Sequence, residues 1–138
     1  MATTISEVMM PKPVTCRADE EIRAAAALMR ERDIGDVVVV DGDEVRGIVT
    51  DRDLVVRALA DGRQPETPLA DVVSEGLVTV SPATSVQEAA EVMAEQAVRR
   101  LPVVDQGRLV GIVSIGDLAI SQDPNSALAD ISAAPGNT

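Results

Sequence analysis

Apolar and polar positions along the chain keep two kinds of register, and each occurs twice. Ile22, Ala25, Ala26 and Met29 fall at i, i+3, i+4 and i+7, and Val86, Ala89, Ala90 and Met93 do the same. That spacing predicts an amphipathic helix in each place. Asp19, Glu20 and Glu21 suit the N-terminus of the first helix, and Ser85 with Glu88 offers a capping box for the second. After each helix the pattern becomes that of a β-hairpin. "DVVVVD" turns through Asp-Gly-Asp into "EVRGIVT", and "RLPVVD" turns through Gln106–Gly107 into "RLVGIVS"; glycine and its polar neighbours tolerate the positive φ such turns need. Val37–Val40 is an unbroken apolar run, which predicts a strand covered on both faces. Short helical turns are expected over 5–9 and 69–73, short strands over 13–16 and 77–80, and a last helix from near 51 and near 115. The order is β-α-β-β-α, twice.

The two halves are copies. A shift of 64 residues aligns 5–56 with 69–120 without a gap, and 15 of the 52 aligned positions are identical. "VT" at 14–15 returns at 78–79, "GIV" at 47–49 at 111–113, and "DL" at 53–54 at 117–118. The reading is therefore an α/β (α+β) chain of two gapless repeats, 1–62 and 69–122, joined by a linker at 63–68 and followed by a flexible tail at 123–138. One hairpin with helices on one face leaves apolar strand surface open, and a second copy facing it buries that surface.

Composition narrows the function. The chain of 138 residues contains no Phe, Tyr or Trp, so its core must be aliphatic and no aromatic platform exists for stacking single-stranded bases. A net charge of −11 opposes non-specific contact with nucleic acid or anionic membrane. No run reaches the ~18 apolar residues of a membrane span. The N-terminus lacks the basic and apolar stretches of a signal peptide. The single cysteine, Cys16, fits a reducing cytoplasm. Histidine is absent, which removes the commonest general base and metal ligand. No catalytic residue and no metal set is assigned, and the chain is read as a non-enzyme.

The repeated junction holds the candidate chemistry. Thr50 ends a strand and Asp53 lies in the first turn of the following helix; Ser114 and Asp117 repeat the arrangement. Two readings stand. Thr-x-x-Asp is close to a capping box, which satisfies backbone donors and needs no ligand. The same hydroxyl, carboxylate and exposed N–H groups could instead receive a ligand with an anionic group and ribose hydroxyls.

The gapless duplication, the "RLPVVD" strand and the pattern glycine, two apolar residues, Thr/Ser, two residues, Asp at 47–53 and 111–117 resemble CBS domains, named after cystathionine β-synthase. The resemblance covers about 5–120 and is especially close to stand-alone bacterial pairs with a "TDRD" run. It implies two units packed about a pseudo-two-fold axis, with a cleft that binds adenosine-containing ligands: AMP, ADP, ATP, NAD or S-adenosylmethionine. Carried over, Asp53 and Asp117 hold ribose, and Thr50 and Ser114 lie on the phosphate side. Val14, Thr15 and Cys16, with Val78, Thr79 and Val80, border the adenine. Cys16 has an alternative role as a small buried filler. Arg99 and Arg100 match a position that contacts phosphate, with Arg52 close by; a solvated basic pair at a helix end is the alternative. The first repeat departs from the pattern, with Gly35–Asp36 in place of the arginines, so phosphorylated ligands are expected to favour the pocket that pairs Asp53 with Arg99 and Arg100. The resemblance also implies a regulatory homodimer, with Leu28, Leu54, Val55, Leu59, Val92, Leu118 and Ile120 as surplus apolar surface, signalling to an unidentified protein partner. A ligand-free dimeric interaction or stress-associated protein is the alternative.

Overall fold

The computed structural model describes residues 3–73 and 76–122. The tail expected at 123–138 lies outside the described residues. In chain order, a 3-10 turn at Ile5–Glu7 precedes strands β1 (Met10–Pro11) and β2 (Thr15–Arg17), and helix α1 spans Ile22–Arg32. Strands β3 (Asp36–Asp41) and β4 (Glu44–Thr50) form the first hairpin, followed by α2 (Asp51–Asp53), which widens into a π-helical turn at Leu54–Leu59. A second 3-10 turn at Leu69–Asp71 leads to α3 (Val86–Gln96), the hairpin β5 (Arg100–Asp105) and β6 (Arg108–Ser114), and α4 (Ile115–Gln122). Both hairpins end where the pattern predicted. Gln106 and Gly107 take φ of 51° and 80° in the second turn, and Gly42 takes 63° in the first.

The chain forms two compact units. Among the described residues, one runs from Val14 to Leu77 and the other joins residues 3–13 with residues 78–122. These units do not coincide with the two sequence repeats, because the leading segments are exchanged. In the Val14–Leu77 unit, β2 pairs parallel with β3 and β3 antiparallel with β4. No side chain caps α1; its Ile22 and Arg23 N–H groups donate to the carbonyls of Thr67 and Pro65 at 2.8 and 3.2 Å. Backbone carbonyls thus satisfy these donors; of the acidic residues expected at this terminus, Glu21 is the N-cap residue and Glu20 accepts from the Arg17 N–H (2.6 Å). In the other unit the antiparallel order is β1-β6-β5. The Val86 N–H at the start of α3 donates to Thr3 O (3.1 Å), and Ser85 Oγ accepts from the Glu88 N–H (3.0 Å). Each helix N-terminus, whose first N–H groups have no partner within the helix, is completed by the leader of the other repeat.

The cores follow the same exchange. Leu69 and Val72 are buried with Ile22, Ala25, Met29, Val37 and Val49. Ile5 is buried with Val86, Ala89, Met93, Leu101 and Val113. Val37, Val38 and Val39 are all fully buried, as a strand covered on both faces requires. Ala26 and Ala90, expected on the buried stripes, are exposed; the small-residue face of each helix is wider than its contact with the sheet. Leu118 is likewise core rather than surplus surface. The strand expected at 77–80 reduces to one parallel bridge, Val80 with Val103. Gly111 permits β1 to close on β6: a Cβ there would lie 2.6 Å from Met9 Sδ and 3.0 Å from Met10 O.

Candidate functional site

Each unit brings its motif residues to one end of its sheet. In the Val14–Leu77 unit, Asp36 at the start of β3 pairs with Thr50 at the end of β4. β2 runs parallel to β3, so its start lies at the same end, with Thr15 opposite Val38 and the Val38 N–H donating to Val14 O (3.0 Å). The chain then turns at once into α2. Thr50 Oγ1 accepts from the Asp53 N–H (3.1 Å) and Asp53 Oδ2 accepts from the Thr50 N–H (2.9 Å). This is a complete reciprocal capping box. The second oxygen, Oδ1, lies 3.6 Å from Arg57 Nε, and the Asp53 side chain is 17% exposed. Arg57, four residues on, was not singled out from the sequence, although i,i+4 acid–base spacing is a visible signal.

The other unit repeats this junction with different charges. Arg100 at the start of β5 pairs with Ser114 at the end of β6. Ser114 Oγ accepts from the Asp117 N–H (3.2 Å), and Asp117 Oδ2 accepts from the Ser114 N–H (2.8 Å). Arg99 is exposed and Arg100 half-buried, and the Arg99 carbonyl accepts the N–H of Ile115 (2.9 Å). Val80 donates to Pro102 O and accepts from the Val104 N–H, which sets Val78 and Thr79 beside the start of β5. Val14 and Val78 are half-buried, Thr15 and Thr79 exposed, and Val80 buried.

Both aspartates therefore cap, and capping uses one oxygen of each. A carboxylate accepts about four hydrogen bonds, so Oδ1 keeps the capacity to take ligand hydroxyl protons. Arg52 is exposed next to Asp53. Among the described residues no group of three or more His, Cys, Asp or Glu is arranged to hold a metal ion, and no helix is long and apolar enough to cross a membrane.

Cys16 is 2% exposed within the core of its unit. Burial, with a smaller effect of the Glu20 charge, pushes its thiol up from about 9 to about 11. The folded chain thus favours the neutral thiol. That contribution to stability is complete below pH 9 and is lost as pH rises through 11. A thiol reagent at pH 8 is expected to label the native chain far more slowly than the denatured one. The denaturation midpoint is expected to fall between pH 9 and 11 by more than in Cys16→Ala. Fast native labelling would contradict this burial.

Comparison with known proteins places this geometry. The CBS domain family matches residues 5–59 and again 69–121. The CBS domain-containing protein YhcV of Bacillus subtilis is 40% identical over 134 residues, covering 94% of this chain and 96% of that one. A crystal structure of Hypoxic Response Protein I with two coordinated zinc ions is 37% identical, covers 86% of this chain and 98% of its own, and superposes with a TM-score of 0.79. The CBS domain pair of protein MJ0100, crystallised with 5′-methylthioadenosine and S-adenosylmethionine, shares the fold at a TM-score of 0.79 and 24% identity, over 91% of this chain and all of that one. The chain belongs to the CBS domain family and is a tandem pair of such domains.

Proposed function

We propose that the chain is a regulatory module, not an enzyme, that binds adenosine-containing ligands at its two strand–helix junctions. The observation that carries this is the same hydroxyl–carboxylate junction built twice, each at the end of a sheet with one aspartate oxygen left over from capping. A ribose offers two adjacent hydroxyls to such an oxygen, and a charge-assisted bond is roughly twice as strong as a neutral one. Asp53 and Asp117 are the ribose acceptors in this reading. Thr50 and Ser114 stand on the phosphate side with Arg52, Arg99 and Arg100, and residues 14–16 and 78–80 border the base, Cys16 through its backbone. MJ0100 supports the ligand class by its fold and its bound adenosyl compounds. The zinc of Hypoxic Response Protein I is not carried over. This chain has no histidine and one cysteine, so the nitrogen and sulfur donors zinc prefers are missing.

The partner in this reading is a second copy of the chain, with an unidentified protein as the target of the signal, in the reducing cytoplasm that a lone thiol suits. Val55 and Leu59, one turn apart after α2, are 56% and 75% exposed, with Val56 beside them. Light scattering at micromolar concentration is expected to give a dimer mass, and a monomer mass would end this part of the reading.

Thermal denaturation with adenosine, AMP, ATP, NAD and S-adenosylmethionine tests the ligand class. A ligand at a hundred times its Kd stabilises the native state by about 2.7 kcal/mol, so at least one compound is expected to raise the melting temperature by several degrees. A flat panel at millimolar concentration would overturn the proposal. It would favour the second reading, a ligand-free dimeric interaction protein, which the two complete capping boxes already support.

A further inference from the structure

The two junctions differ at the residue after the motif hydroxyl, Asp51 in one and Ile115 in the other. In the first repeat the Asp51 N–H donates to Gly35 O at 2.9 Å, and in the second the Ile115 N–H donates to Arg99 O at 2.9 Å. The same backbone link thus joins Asp51 to Gly35 in one unit and Ile115 to Arg99 in the other. Gly35 has no side chain, and a Cβ built there would lie 3.3 Å from Asp51 Oδ2. The Asp51 carboxylate therefore occupies the space over Gly35 from which, in the other unit, the arginine side chain grows. It is also held in place, since its Oδ1 accepts from the Arg52 N–H (2.8 Å). The charge beside the junction differs as a result: the Asp51 carboxylate stands next to Thr50, whereas the uncharged Ile115 follows Ser114 and is bonded to Arg99.

We propose that Asp51 is a specificity-determining residue that bars phosphate from the rim formed by Gly35, Asp36 and Thr50. That rim is left to uncharged or sulfonium parts of an adenosyl ligand, and the rim of Arg99 and Ser114 takes phosphorylated parts. The inference rests on the adenosine-binding reading above and revises it at one place: Thr50 meets an uncharged part of the ligand, and Ser114 alone keeps the phosphate side. Its physics is local: a phosphate dianion within a few Å of a fixed carboxylate is repelled, and the exposed Arg99 guanidinium offers it charge-assisted bonds.

The test is titration of Asp51→Asn with adenosine and with AMP at low salt, followed by the amide signals of Gly35 and Thr50, which report this rim alone. Asp43→Asn is the control, with the same charge change in the hairpin turn at the far end of β3 and β4. The substitution at Asp51 is expected to strengthen AMP binding at the rim about three- to tenfold, to leave adenosine within about twofold, and to lose its effect as salt rises. Asp43→Asn is expected to change neither. If adenosine binds but AMP gains nothing in Asp51→Asn, or gains as much in Asp43→Asn, the role of Asp51 is overturned while ligand binding stands. If neither compound moves any signal in wild type or variant, the adenosine reading fails and this inference with it.

Discussion

Ile5→Ala is expected to destabilise the unit that contains β5 and β6, and Leu69→Ala the unit that contains β3 and β4. These positions correspond in the two repeats, both are fully buried, and each packs in the core of the other repeat. Truncating a buried Leu or Ile to Ala costs about 2–5 kcal/mol, through lost transfer energy and the cavity left behind. The leaders are also tied by backbone bonds. Ile5 N–H donates to Thr84 O (2.8 Å), and Leu69 N–H to Glu20 O (2.8 Å). Loosening a leader therefore also removes acceptors from a helix N-terminus. Hydrogen exchange resolved along the chain reads the outcome. Ile5→Ala should lower protection in α3, β5 and β6 first, and Leu69→Ala in α1, β3 and β4 first. The reverse pattern, each variant loosening its own repeat, would refute the exchange.

Asp53→Ala is expected to lose ten- to hundredfold in affinity for an adenosyl ligand, since a hydrogen bond to a charged group contributes roughly 1.5–3 kcal/mol. It also removes half of a capping box and the contact with Arg57. A lost cap costs on the order of 1 kcal/mol of stability, and the exposed end of the arginine pair adds little. Two measurements on one variant separate the roles. Calorimetric titration reports ligand contact and chemical denaturation reports capping. A folded Asp53→Ala with a lower denaturation midpoint and unchanged affinity would leave the aspartate as a cap alone. Asp53→Asn sharpens the comparison, because an amide oxygen still caps but carries no charge.

Much of the architecture is legible in the residues because it rests on local rules. The period of Ile22, Ala25 and Met29 forms one buried helix face. The apolar run of β3 and the glycines in the hairpin turns determine where the strands lie and reverse. The capping pairs Thr50–Asp53 and Ser114–Asp117 can be read three residues apart. Even the duplication is a property of the string alone. The candidate junctions followed directly, since a strand that stops where a helix starts places its last hydroxyl and the helix's first carboxylate together.

What the sequence could not determine is anything that depends on which of two equivalent partners is chosen. Ile5 and Leu69, and Val8 and Val72, are interchangeable in hydrophobicity and position, so pattern cannot say which sheet each joins. Only the path of the chain through space decides that Thr3 serves α3 and that Pro65 and Thr67 serve α1. For the same reason the groups that complete the α1 N-terminus could not be read locally: a backbone acceptor supplied from 45 residues away leaves no trace in local composition. The Asp51 carboxylate lying over Gly35 is of this kind too. It arises where two segments 16 residues apart meet, and a glycine's missing side chain acquires meaning only from what fills its place.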